Sequence, residues 1–386
     1  MVAIRNGARR RHARADPSTP GSRTQGALRC PFDLHVGSVP RFLNAELVDH
    51  DVYDGVELQW FDDPSRGTGM LAFLQRRADR RVDYYVEPGL ALDRVSYELG
   101  GGTGRWVETT FEANRLEVDG DGVVADVRFH DVDGRTVEIR LDDRDVGPRN
   151  AGELLAPVGA DIDTPRSLLL VYVHGFDLVR RGRIEPVIRI DAQPVSTGRL
   201  PGARWHGRHL IKAGAPLSVA TLCRSGTREL EVIDPQQPGE VLLDRQRRGI
   251  RGLSVAGEGA EARIMLRPAM PSIDGLADGQ VVTGAWEVSV DGARLTGGRW
   301  GLRRVGHRVE VRLDVSQRWR PPPGQPLLMR VVTRVVPTFR RWPTTYRWRA
   351  EVHLDDPPRI TSRWERTTTE RGERYRAATS PGSSRG

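Results

Sequence analysis

The chain has 386 residues, 38% hydrophobic and 28% charged, with a formal net charge of +8 and two cysteines. That length and composition suit two ordinary globular domains or one large all-β unit, and exclude a chain disordered throughout. No window approaches the roughly 18 consecutive apolar residues of a membrane span, and Cys30 and Cys223 are too few for a disulfide framework or a cysteine zinc site.

The positive charge is unevenly placed. Residues 1–29 carry seven Arg against one Asp, and residues 299–386 carry 20 basic against 8 acidic groups, so the stretch between is acidic. Lys212 is the sole lysine, an arginine bias typical of GC-rich coding, so arginine count alone does not indicate nucleic acid. Residues 1–29 hold no apolar stretch after their basic run, which excludes a secretory signal and predicts a disordered basic arm. With cysteines few and no leader, the expected compartment is the cytoplasm.

Period-two alternation dominates from there on. The predicted strands of the first half are 45–50, 55–61, 69–76, 81–87, 92–99, 105–111, 114–118, 122–130, 136–141, 167–176 and 186–191. Within them "GVVADVRF" sets Val123, Ala125, Val127 and Phe129 opposite Val124, Asp126 and Arg128. Turn sequences separate the runs, such as "DGDG" at 119–122 and "DVDG" at 131–134. The latter resembles the opening of a calcium loop but lacks its remaining ligands. Likewise "LGGGTGRW" at 99–106 precedes a strand, not the helix a phosphate loop requires. An irregular stretch, 142–166, reads as a rim loop or clamp across a barrel mouth.

"LLLVYVHGFDLV" at 168–179 is apolar on both faces, as in a strand buried on both sides. Its His-Gly pair invites comparison with a hydrolase oxyanion loop. The nearest nucleophile elbow is Gly252-Leu253-Ser254-Val255-Ala256, followed by another strand, and no crossover helix lies between. A serine hydrolase is therefore not expected. His174 reads first as a structural histidine; otherwise Tyr172 and His174 point together into a ligand pocket.

Residues 193–216, rich in Gly and Pro, read as the connection between halves. Their His206 and His209 have no third metal ligand at a recognised spacing. The second half predicts strands at 217–223, 228–233, 240–244, 250–256, 261–266, 281–290, 293–304, 307–316, 327–337, 344–354 and 359–365, and a disordered tail from 367. Between 299 and 349 lie 13 Arg, interleaved with Trp300, Trp319, Trp342, Tyr346 and Trp348. Alternation sets Tyr346 and Trp348 on the apolar face away from Arg347 and Arg349, so they do not form a basic stacking platform and nucleic acid is not the expected partner.

The expectation is an all-β, antiparallel protein. It has a first β lobe at 30–192 and a second at 217–366, both barrel-like and comparable in architecture to lipocalins; the alternative is one large antiparallel sandwich. The leading function is a binder, or modest enzyme, for an apolar or amphipathic small molecule, without metal or cofactor. Its predicted site comprises Trp60, Tyr84, Trp106, Tyr172 and His174, with His174 the proton carrier if there is catalysis. A carbohydrate-binding or carbohydrate-active sandwich is the second reading, with Glu57, Glu108 and Asp83 as conceivable carboxylates. Polyanion binding by the arginine-rich C-terminal face is the third.

Overall fold

The computed structural model describes residues 27–97, 102–160, 162–198, 200, 202–257 and 259–367. These residues form an all-β structure of three sheets. The strand Val123–His130 alternates buried and exposed over its second half, with Ala125, Val127 and Phe129 buried, and Tyr346–His353 buries Tyr346, Trp348, Ala350 and Val352. Pairing is antiparallel except between Val82–Val86 and Thr103–Glu108, which run parallel.

A ten-stranded sheet organises the first part of the chain. Its order is Leu34–Val39, Leu217–Leu222, Leu168–Arg180, Arg208–Gly214, Arg41–Glu46, Tyr53–Asp63, Gly67–Arg76, Val82–Val86 and Thr103–Glu108, with Gly152–Ala156 added along Leu168–Arg180. One face of this curled sheet packs on a five-stranded sheet running Gln193–Pro194, Val187–Ile190, Thr136–Asp142, Val123–His130 and Ala113–Val118. Leu43, Val56, Leu58, Met70, Ala72 and Leu74 meet Leu116, Val127, Phe129 and Ile139 there. The other face carries a cavity.

The nine-stranded sheet is a meander from Val241–Leu243 to Arg359–Arg366, with Gly226–Glu229 beyond the last strand. Trp286, Trp300, Trp348 and Trp364 are fully buried in it. Trp364 Nε1 donates to the carbonyl of Cys223 at 2.7 Å, fastening this sheet to the end of Leu217–Leu222. Close backbone approach explains two glycines. A Cβ on Gly298, at a bulge against Arg308–Gln317, would stand 1.8 Å from the Asp314 carbonyl oxygen, and one on Gly104 would stand 2.4 Å from the Asp83 carboxylate.

Several segments differ from the sequence expectation. Residues 193–216 hold Arg208–Gly214, an interior strand of the ten-stranded sheet, and Leu217–Leu222 belongs to that sheet too. Gly and Pro there mark bends between paired segments, not a free connection. The predicted strand 327–337 is the helix Leu327–Val335, followed by Pro337–Arg341. Pro326 and Pro337 bracket it, and its apolar residues fit a helical face as well as an alternating one. Where a strand was expected at 92–99, the chain makes a 3-10 turn, Arg94–Tyr97. Residues 1–26 and 368–386, covering most of the predicted arm and tail, lie outside the described residues. Residues 27–29 are fixed, with Leu28 bridged to Ile233 and Arg29 within 3.2 Å of Asp274.

Both cysteines are free, and burial pushes the Cys30 thiol up to about 12 and the Cys223 thiol well above its ordinary value. Native protein treated with a thiol-specific reagent near neutral pH is expected to label slowly at the fully buried Cys223, faster at the half-buried Cys30, and fully once unfolded; rapid native labelling of Cys223 would contradict its burial.

Candidate functional site

The inner face of the ten-stranded sheet bounds a cavity of about 1450 Å³. Its apolar wall comes from Val36, Leu169, Val171, Leu217 and Val219 on neighbouring strands, with Phe42, Phe73, Phe176 and Leu178 beyond. The stretch 142–166, read as a rim, supplies Leu154, Ala156, Pro157, Val158 and Ile162. The helical segment 327–341 covers part of the remaining side with Leu328, Met329, Val332 and Phe339. Val331, Val335 and Val336 both line the cavity and are exposed, so one opening lies along this helix; Glu46, Asp79 and Arg80 line it and are exposed elsewhere.

Polar side chains also line the cavity, among them Arg66, Asp79, Arg80 and Arg224, and one group of them is hydrogen-bonded together on the sheet itself. Asn44, Glu57, Gln59 and Lys212 come from three adjacent strands and line the cavity, because alternation turns them inward while Leu43, Val56 and Leu58 turn toward the five-stranded sheet. Glu57 accepts hydrogen bonds from Gln59 Nε2 at 2.7 Å and from Asn44 Nδ2 at 3.1 Å. Lys212 Nζ reaches Asn44 Oδ1 at 3.4 Å and pairs with Glu46 at 2.7 Å. Burial raises the Glu57 carboxyl above the usual carboxylate range, opposed by the two amides and the Lys212 charge. Its carboxyl therefore lines the cavity with its proton affinity raised by burial, while the two amides hold it in place.

That shift has a signed consequence. A carboxyl whose folded pKa is raised stabilises the fold below its ordinary range, and the contribution is lost as pH rises through the raised value. Glu57→Gln stays neutral throughout. Urea unfolding is expected to show the variant gaining on the parent protein between mildly acidic and neutral pH; a difference that does not change with pH would contradict the shift.

The five residues predicted from sequence fall into three places. Trp60 packs against the five-stranded-sheet side, away from the cavity. Tyr84 and Trp106 stack at 4.9 Å and stand behind Phe73 and Tyr97, which line the cavity. Tyr172 and His174 are together, ring centroids 4.7 Å apart, on the face of Leu168–Arg180 opposite Leu169 and Val171. There the Tyr172 hydroxyl donates to Glu153, and burial raises the phenol above its ordinary value. His174 Nε2 lies 3.3 Å from Asp291 and 3.4 Å from Ser218 Oγ, and Ser218 donates to the same Asp291 carboxylate at 2.6 Å. Serine and aspartate crowd one imidazole nitrogen, whereas a nucleophilic relay needs them on opposite nitrogens. Asp291 sits in the hairpin turn between Val281–Val290 and Ala293–Val305, so this cluster pins the nine-stranded sheet to the ten-stranded one.

The other candidates resolve as structural. Asp83 is fully buried and forms a bidentate pair with Arg76 at 2.7 and 2.8 Å, and Glu108 is exposed, so neither joins Glu57. Ser254 lies within Gly249–Gly257, which turns directly into Ala260–Pro271. In "DVDG" the Asp131 carboxylate accepts from the amides of Asp133 and Arg135, closing a hairpin. Among the described residues no group of three or more His, Cys, Asp or Glu could hold a metal, and no helix is long and apolar enough to cross a membrane. Comparison with protein-family models, curated proteins and solved structures gives no match.

Proposed function

We propose that this protein binds an apolar or amphipathic small molecule in the cavity of its ten-stranded sheet, with Glu57 and its amide partners meeting the ligand's polar end. The supporting observation is the cavity itself: about 1450 Å³, walled largely by aliphatic side chains and entered beside a helix. Drug-sized ligands fill roughly 300–1,000 Å³, so this volume suits a longer, lipid-sized molecule. Glu57, Gln59 and Asn44 offer hydrogen-bonding groups to an uncharged polar end, and an ionised Glu57 would repel a carboxylate.

A modest enzymatic activity is the second reading. The observation favouring it is again Glu57, a cavity-lining carboxyl whose pKa burial raises, the direction of shift found in general acids. The carbohydrate and polyanion readings find less support. Carbohydrate and single-stranded nucleic acid stack on exposed aromatics, whereas Trp300, Trp319, Trp342, Tyr346 and Trp348 are buried.

Native mass spectrometry of freshly purified protein, beside the same sample denatured, tests the binding reading. A mass excess present only in the native spectrum is expected. A bare native mass, together with no uptake of the neutral apolar dye Nile red, would overturn it.

A further inference from the structure

Among the described residues, the segment at the cavity opening differs in charge from the sheets around it. From Val315 to Ala350 there is no Asp or Glu, against eight Arg. Several arginines of the sheets pair with carboxylates, Arg308 with Glu351, Arg347 with Asp314 and Arg363 with Glu365. Arg330, Arg334, Arg340 and Arg341 are all exposed, and none has a carboxylate within 4.0 Å among the described residues.

The same segment exposes apolar surface. Leu327, Val331 and Val335 follow one another at four-residue spacing and are 70%, 48% and 64% exposed, while Met329 is buried against the core. Helical geometry puts Arg330 and Arg334 beside that stripe. A second cavity-lining stretch carries the same pairing: His206 and Leu200 line the cavity, and between them Trp205 is 79% exposed with Arg204 over its ring at 4.6 Å. A protein that left such surface in water would gain nothing from it, since exposed aliphatic stripes mark contact sites. Arginines flanking apolar residues on a short helix, with a tryptophan nearby, are the composition of a surface that lies in a lipid interface, where the guanidinium groups meet phosphate and the apolar groups enter the acyl boundary.

We infer that the segment 327–341, aided by Arg204 and Trp205, docks this protein on an anionic lipid bilayer with the cavity opening toward the membrane. The docking geometry stands on its own, whereas its purpose, transfer of an apolar ligand between bilayer and cavity, rests on the binding reading above. A soluble partner protein would also cover the stripe. The four unpaired arginines and the opening beside it favour a lipid surface, which offers both the phosphates and a route for the ligand.

Cosedimentation of the full chain with vesicles of phosphatidylcholine, alone or with a quarter phosphatidylglycerol, tests this. Sedimentation is expected with the anionic vesicles, falling steeply with salt. Two changes, Arg330→Glu with Arg334→Glu, are expected to weaken it more than roughly tenfold, and Leu327→Ser with Trp205→Ala by about tenfold. None of these four side chains lines the cavity, so Nile red uptake without vesicles should persist in every variant. Docking without dye uptake would therefore fault the binding reading and leave the docking inference intact. Absence of sedimentation with either vesicle overturns the inference. So does sedimentation indifferent to both double changes.

Discussion

Replacing Asp143 with alanine is expected to lower the unfolding free energy by about 3–5 kcal/mol, the range for removing one partner of a buried ion pair. Asp143 and Arg180 are 2% and 7% exposed and pair at 3.2 Å. The Asp143 carboxylate also accepts from the backbone N–H of Val123 at 2.7 Å and of Arg180 at 2.9 Å. Arg180 in turn donates to the carbonyls of Asp121, Asp143 and Pro148 at 3.1, 3.0 and 3.0 Å, and to that of Gly147. Alanine thus leaves a buried guanidinium without its counter-charge and two buried amides without an acceptor. Arg180 ends the longest strand of the ten-stranded sheet, and Asp143 follows a strand of the five-stranded sheet, so the loss falls where the two sheets are fastened. Urea denaturation of Asp143→Ala, beside the double change Asp143→Ala with Arg180→Met, measures it. Part of the loss should return in the double variant, because the stranded charge is gone. A single-variant change below about 1 kcal/mol, the range of exposed pairs, would show that solvent reaches this network.

The sequence reading and the structure agree where one face of a strand is solvated. Val123–His130, Thr136–Asp142 and Tyr346–His353 fall within a residue or two of the runs picked by alternation. They part company where both faces are enclosed. Along Tyr53–Asp63, alternation marks Val56, Leu58 and Trp60 as the inward face, and they do pack, but against the second sheet. The opposite face, with Glu57 and Gln59, reads as a water-facing side, yet it faces the cavity. Along Leu168–Arg180 the reverse happened. Choosing the side with the ionisable His174 led to the seam between sheets, and the plain aliphatic side, Leu169 and Val171, is the cavity wall. A polar face over a void and a polar face over water have the same sequence period. What would have separated them is the return of 193–222 into the first sheet, a long-range pairing that no local pattern encodes. The helix Leu327–Val335 was hidden for a related reason: "LLMRVVTRV" is β-branched and apolar enough for a strand, and only its prolines and the arginines four apart point to a helix.

If the cavity holds the ligand, the double change Val171→Trp with Val219→Trp should reduce Nile red affinity more than tenfold, a loss of at least about 1.4 kcal/mol. Val171 and Val219 are register partners on adjacent strands, and both line the cavity at its aliphatic centre. Two indoles placed there occupy the space an apolar ligand would fill. Because the added rings enter a void and not close-packed core, the cost to folding should stay below the roughly 1–3 kcal/mol of overpacking. Ile184→Trp, at a position 63% exposed and outside the lining, should leave the affinity unchanged. Unchanged affinity in the double variant would place the dye on the exterior, the stripe of Leu327, Val331 and Val335 being the surface to suspect. The comparison separates two origins of apolar binding that a single titration confounds, because one resides on strands at the cavity's inner wall and the other on the helix at its rim.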